Sequence, residues 1–226
     1  MTLDWSVIEG EPSKTPLKVL VVAIPTDIVV QYQEIAQLSD LKLKFLESEV
    51  FSLARASIKN NKGEKITGLI DIGARSTTCS VLEKGILKVS HSFNVGGNEL
   101  TDVIAKSLNI DYNKAEETKR KYGLIPDKEN IRKILIPLVD SILEEIKKAF
   151  RDFYLEEGKE VEEIILSGGL ALMLGLKEYF FTTFKKEVAL ADPFLRIDCP
   201  PVLVETLKEI GPNYAIAVGL ALKGLE

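Results

Sequence analysis

The stretch Leu69-Ile-Asp-Ile-Gly-Ala-Arg-Ser-Thr-Thr78 sets an aspartate at the end of an apolar run, then a glycine, then three hydroxyl residues. That grouping suits a phosphate and its divalent cation. Backbone N–H groups around Gly73, Ser76 and Thr77, with the Thr78 hydroxyl beside them, can cradle anionic oxygens. Asp71 can hold Mg²⁺ directly or through water, since hard cations prefer oxygen donors. The same residue types also build an ordinary tight hairpin, so the motif alone leaves both readings open.

Three more groups carry comparable possibilities. In Val95-Gly-Gly-Asn-Glu-Leu-Thr-Asp102, Gly96 and Gly97 precede a helix whose free N–H groups and dipole favour an anion, although Asn98 can equally serve as a plain cap. In Ala115-Glu-Glu-Thr-Lys-Arg-Lys121, Glu116 and Lys119 share a helix face at i,i+3 spacing with Arg120 adjacent. By itself that pair is a solvated contact worth roughly a few tenths of a kcal/mol. Finally, Ile164-Ile-Leu-Ser-Gly-Gly-Leu-Ala171 ends a strand in Gly168-Gly169, where a flat ring can lie against bare backbone or where a strand simply turns into a helix.

The elements that must position these groups follow from periodicity. Lys18 to Ile24 is a short continuous apolar run stopped by Pro25, which predicts a strand covered on both faces. A helix follows, with Asp27 as N-cap and Ile28, Tyr32, Ile35 and Leu38 at helical spacing. Leu41, Leu43 and Phe45 alternate with lysines and predict another strand, and Val50 to Ile58 a second helix. After a polar loop at Asn60–Glu64, three strands (66–72, 76–82 and 86–93) form an antiparallel meander. Residues 98–157 are helical, with Ile131, Leu135, Leu138, Ile142 and Ile146 spaced for bundle packing. A strand at 163–166, a helix over 171–184, a strand at 187–190 and a last helix at 214–223 complete the pattern.

Composition narrows the function classes. The 226 residues carry 29 Lys+Arg against 34 Asp+Glu, a net charge of −5 with the two signs interleaved, so nucleic acid is not the expected ligand. His91 stands alone and the two cysteines lie in no CxxC pattern, so any metal is expected on oxygen donors and the compartment is expected to be a reducing cytoplasm. No stretch of 18 uncharged apolar residues occurs, so direct membrane insertion is not expected.

Taken in order, DIGARSTT, GGNELTDVIA, AEETKRKYG, EIILSGGLALMLGLKEYF, ADPF and PNYAIAVGLAL resemble the type IV pilus assembly PilM family, within the superfamily of actin, FtsA and DnaK-type chaperones. The resemblance runs from about Asp4 to Leu222. It implies an α/β, actin-like ATPase fold related to ribonuclease H, with the second lobe complete and the first partial. Residues 1–44 then correspond to part of an extra subdomain, 45–65 and 211–226 to remnants of the first lobe, and 66–210 to the second lobe, with 103–160 its mostly helical part. It further implies ATP with Mg²⁺ in the cleft: Asp71, Gly73 and Thr77 as the second phosphate loop, Gly96, Gly97 and Asn98 beside it, Glu116, Lys119 and Arg120 at the ribose, and Gly168 and Gly169 beneath the adenine. Glu49, near the start of the connecting helix, is the candidate to position a water; a carboxylate suits that task, as it does an exposed helix-cap charge.

The first phosphate loop of the family finds no match here, nor does GxGxxG or GxxxxGK[ST] occur, so ATP binding with weak or no hydrolysis is expected. The implied role is a cytoplasmic scaffold of the type IV pilus assembly, or a related type II secretion, machine, peripheral to the inner face of the plasma membrane. It would dock the N-terminal peptide of a PilN-like inner-membrane protein, work with other pilus assembly proteins and support twitching motility. An FtsA-like division protein, a sugar or acetate kinase of the same fold, and an inactive interaction module are the alternatives. The helices at 49–59 and 214–223 are expected to leave apolar surface uncovered, and so to favour self-association.

Overall fold

The computed structural model describes residues 1–10, 17–58 and 65–225. The chain divides into two compact units, Met1–Ser48 and Glu49–Glu226. The loop expected at Asn60–Glu64 lies outside the described residues.

In the first unit the β-branched run Lys18–Ile24 (β2) pairs antiparallel with Thr2–Glu9 (β1), placing Trp5 opposite Val21 and Leu3 opposite Ala23. Helix α1 (Thr26–Leu38) starts directly after Pro25, whose carbonyl accepts from the amides of Ile28 and Val29. Asp27 is therefore a first-turn residue near the positive end of the helix and not its cap. Of α1 only Ala36 is buried. The strand expected at Leu41–Phe45 does not form: those residues are irregular and pair with no described strand, and the Leu41 amide donates instead to the Ala36 carbonyl of α1 at 2.8 Å.

The second unit is built on a five-stranded mixed sheet. Strands β3 (Ile66–Ile72), β4 (Thr77–Glu83) and β5 (Ile86–Phe93) form the antiparallel meander, and β6 (Glu163–Ser167) and β7 (Glu187–Leu190) join parallel to β3, giving the order β5-β4-β3-β6-β7. Central β3 is covered on both faces, which suits its largely apolar run up to Asp71. Ile70 and Ile72 enter a core with Leu100, Ile104, Leu135, Ile142 and Phe153, supplied by helices α3 (Gly97–Leu108) and α5 (Glu129–Glu157). The apolar stripe of α5 thus packs on β4, β5 and α3, and α4 (Tyr112–Tyr122) sits against α3.

Leu69 points to the other face, into a second cluster with Leu53 and Ala56 of helix α2 (Glu49–Ser57) and Ala215 of helix α7 (Val204–Lys223). The sheet thus covers the inner faces of α2 and α7, while Tyr214 (50%) and Leu220 (38%) of α7 stay exposed, so part of the apolar surface expected to stand open does so. Two further boundaries differ from the periodicity. After β6 the chain makes a 3-10 turn at Gly169–Leu172 before α6 runs from Leu176 to Phe184. Helix α7 begins at Val204, not Tyr214, and continues through Gly211-Pro212. Pro212 forfeits one helical bond, and its own carbonyl is engaged from outside the helix, accepting from the Gly168 amide at 3.0 Å and the Ser167 hydroxyl at 3.1 Å.

Candidate functional site

Strands β3 and β6 run parallel with Asp71 opposite Ser167, so their carboxyl ends open at one edge of the sheet, where α/β folds place ligands. A cavity of about 450 Å³ lies there, within the ~300–1,000 Å³ of small-molecule sites. The Gly73-Ala74 turn, the start of α3, the polar face of α4, the turn after β6 and Asn213 of α7 all contribute to its wall.

The α4 wall is a closed polar cage. Lys119 keeps only 8% of its side chain exposed, and its ammonium donates to the Gly97 carbonyl (2.8 Å), the Thr101 hydroxyl (2.7 Å) and Glu116 Oε2 (2.6 Å). Three partners saturate the three N–H bonds of the ammonium, which is what makes a buried lysine tolerable. This overturns the solvated-pair reading of Glu116 and Lys119 taken from spacing. Glu116 also accepts from Thr101 (2.6 Å) and from Arg120 Nε (2.8 Å), while Arg120 itself is 79% exposed. Burial alone would push the Glu116 carboxyl up, but the hydrogen bonds from Lys119, Thr101 and Arg120 outweigh it and hold the pKa at about 2. At neutral pH Glu116 is thus a fixed anion at the cavity wall, able to accept from ligand hydroxyls. Opposite it, Leu170, Leu172 and Met173 make an apolar surface beside the bare backbone of Gly169, which a flat ring can occupy.

The start of α3 differs from what its glycines suggested. The Gly97 and Asn98 amides donate to the Gly73 and Ala74 carbonyls at 2.9 and 2.8 Å, and the Gly96 amide to Glu99 Oε2 at 2.9 Å. These donors clamp the β3–β4 hairpin to the helix and are spent before any anion arrives. Gly96 is required because a Cβ there would lie 2.7 Å from the Gly73 carbonyl oxygen. Asn98 caps nothing; its side-chain oxygen accepts from the Tyr112 hydroxyl at 3.1 Å. Of the hairpin hydroxyls, Thr77 donates to the Val95 carbonyl at 2.7 Å and Thr78 to Ser92 at 3.2 Å, so both serve the hairpin, while the Ser76 carbonyl accepts from the Gly73 amide and closes the turn.

Gly73, Gly97, Asn98, Glu116, Lys119, Arg120 and Gly169 are thus brought to the cavity. Asp71, Ser76, Thr77, Thr78, Gly96 and Gly168 do not line it. Gly168 adopts φ +83°, and a Cβ there would meet the Ile72 carbonyl oxygen at 2.4 Å and Asp71 Oδ1 at 2.8 Å. Asp71 itself is half-buried. Burial foremost, then the negative charge of Glu49 at the exposed start of α2, raise its pKa from 3.8 to about 6, with a hydrogen bond from the Ser167 hydroxyl pulling the other way. Ser167 has one proton for two acceptors, Asp71 and the Pro212 carbonyl. A carboxylate held under such repulsion suits a hard cation, which would cancel the charge that burial penalises. Sequence reasoning missed Thr101, Tyr112 and Asn213; Thr101 lies inside the GGNELTD stretch, four residues after Gly97, but only the packing of α3 on α4 marks it.

This sheet order, with a glycine hairpin clamped to a helix start beside the strand ends, defines an actin-like ATPase fold. Spiroplasma citri MreB5 bound to AMPPNP superposes with a TM-score of 0.68 at 18% identity, over 89% of this chain and 66% of that one. The family described as type IV pilus assembly protein PilM matches residues 1–225, and the chain belongs to that family. A solved PilM-PilN type IV pilus biogenesis complex superposes with a TM-score of 0.86 at 26% identity, covering all of this chain and 67% of that one. Among curated relatives, the cell division protein FtsA of Helicobacter pylori (strain ATCC 700392 / 26695) is 25% identical over 211 residues, 81% of this chain. The chain spans 42% of that relative's length. Among the described residues no helix is long and apolar enough to cross a membrane.

Proposed function

We propose that this chain is a nucleotide-binding scaffold of the type IV pilus assembly machine, acting at the cytoplasmic face of the inner membrane by gripping the N-terminal tail of a PilN-like protein. Family membership and the likeness to the PilM-PilN complex support the pilus role and the partner. The observation that carries nucleotide binding is the composite cavity: an anion fixed at Glu116, the exposed Arg120 guanidinium, an apolar surface at Leu170 and Met173, and bare backbone at Gly169 and Gly73. In this reading the base lies on Gly169 and the apolar surface, the ribose hydroxyls donate to Glu116, and the phosphates run toward the Gly73-Ala74 turn. Mg²⁺ would supply charge neutralisation at Asp71, with Glu49 placed to orient a water. The amides at the start of α3, already spent on the hairpin carbonyls, leave few donors for a transferring phosphoryl group, so the chain holds nucleotide with little or no turnover.

The test is a titration of the purified chain with a fluorescent ATP analogue, with and without Mg²⁺, beside Arg120→Ala and Glu116→Gln. A second arm titrates a labelled peptide carrying the cytoplasmic N-terminus of the PilN-type protein from the same system. Saturable nucleotide binding weakened in both variants supports the reading; no binding at millimolar nucleotide ends it, and a peptide that fails to bind with or without ATP ends the partner assignment. The similarity to FtsA favours a second reading, a division protein that polymerises. Nucleotide-dependent filaments in a sedimentation assay would move the assignment there.

A further inference from the structure

The first unit carries a contiguous open apolar surface on its two-stranded ribbon. Directly paired residues of an antiparallel ladder share a face. Leu3, Trp5 and Val7 of β1 therefore line up with Ala23, Val21 and Val19 of β2 as one uncharged surface of six apolar side chains. All six are exposed, Trp5 to 67%, Leu3 to 66% and Val21 to 60%. A two-stranded ribbon is marginal in water on its own and gains most from a covering layer.

We propose that this face pairs two copies of the chain, ribbon on ribbon, about a two-fold axis parallel to the strands. Two features select a second copy as the occupant. The face is built from a column of larger side chains on β1 (Leu3, Trp5, Val7) and a column of smaller ones on β2 (Ala23, Val21, Val19). A two-fold axis along the strands sets the large column of one copy over the small column of the other, so the surface is complementary to itself. The exposed apolar area comes to roughly 500 Å² per copy, hence about 1,000 Å² for the pair, the size at which specific interfaces begin. The absence of charge on the six residues gives an acidic or basic partner nothing to read, while Trp5 at the centre is the residue type that dominates interface energetics.

Trp5 is also the only tryptophan in the chain, so its emission reports on this face alone. The experiment is sedimentation velocity of the full chain over a concentration series, with tryptophan emission and iodide quenching on the same samples. Expected are a monomer–dimer equilibrium and a blue shift with loss of quenching that follow the dimer fraction. Val21→Lys, with circular dichroism unchanged, should raise the dimer dissociation constant at least about thirtyfold. A monomer at every concentration overturns the proposal, whether Trp5 is quenched or protected. A dimer in which Trp5 remains fully quenchable overturns it too, because the contact then lies elsewhere. If Val21→Lys does not fold, the wild-type quenching result decides alone.

Discussion

Replacing Asp71 with asparagine keeps the shape of the side chain, removes its charge and separates two demands made on that position. Its carboxyl titrates near 6 in the folded chain against an ordinary 3.8. A difference of about two units is worth at most roughly 3 kcal/mol between the two protonation states. Because the folded value is the higher one, the stability this group contributes is complete below 3.8 and is lost as pH rises through about 6. At pH 7.5 the charged form is held against burial and against Glu49, and the whole penalty is present. The amide variant escapes it and can still accept from the Ser167 hydroxyl. With solvent relaxation discounted, Asp71→Asn should be more stable than wild type by about 1–2 kcal/mol at pH 7.5 and by roughly a third of that at pH 4.5. That gain corresponds to a rise of roughly 2–8 °C in Tm. Urea unfolding followed by far-UV circular dichroism at the two pH values measures it, while the fluorescent ATP analogue tests whether Mg²⁺-dependent binding is lost in the same variant. A variant less stable than wild type at pH 7.5, or equally stabilised at both pH values, would refute the reasoning, since the charge would then not be the source of strain.

Other positions give sharper or opposite signs. Lys119→Met leaves Glu116 with Arg120, Thr101 and partial solvent; it should cost about 2 kcal/mol, less than the ~3–5 of a fully buried pair, as read by thermal melting. Glu116→Gln removes a carboxylate held near 2, whose contribution is present above 4.5 and lost as pH falls toward 2. Between pH 4.5 and 2 the variant should therefore lose about 1–2 kcal/mol less than wild type on acid titration, the discount reflecting its partial exposure. Gly168→Ala combines φ +83° with a Cβ 2.4 Å from the Ile72 carbonyl oxygen, and should destabilise by at least about 2 kcal/mol in the same urea assay.

How much of this was legible depended on the range of the interactions involved. Asp71, Gly73, Gly97 and Gly169 sit at strand ends and helix starts, which local sequence marks through glycine, hydroxyls and a change of period. The meander and the parallel return of β6 were legible for the same reason. What a lysine at i+3 does was not: Lys119 is buried because α3 packs on α4 and presents the Gly97 carbonyl and Thr101, 22 and 18 residues away, to its ammonium. Likewise Gly211-Pro212 reads as a helix stop, and α7 passes through it because the Pro212 carbonyl finds Gly168 and Ser167 more than forty positions earlier. Leu41–Phe45 fails in the opposite sense, with the right alternation and no described strand to pair with.

The two carboxylates also predict how metal should act on the unliganded protein. Glu116 already has its cations, from Lys119 and Arg120, and offers a second one little. Asp71 has none among the described residues and faces a negative neighbour in Glu49, so a divalent ion there would relieve a penalty that the folded chain otherwise carries. Mg²⁺ without nucleotide should accordingly raise the Tm of wild type at pH 7.5, following RT ln(1 + [L]/Kd), or about 2.7 kcal/mol at a hundredfold excess over Kd. At pH 5, below the Asp71 pKa of about 6, protons compete for the same oxygens and the rise should shrink by roughly tenfold in apparent affinity. Asp71→Asn should show no Mg²⁺ response at either pH, whereas Glu116→Gln should respond as wild type does. A Mg²⁺ shift that survives in Asp71→Asn would place the ion elsewhere on the chain, and with it the argument that repulsion at the end of β3 exists to be cancelled by metal would fall.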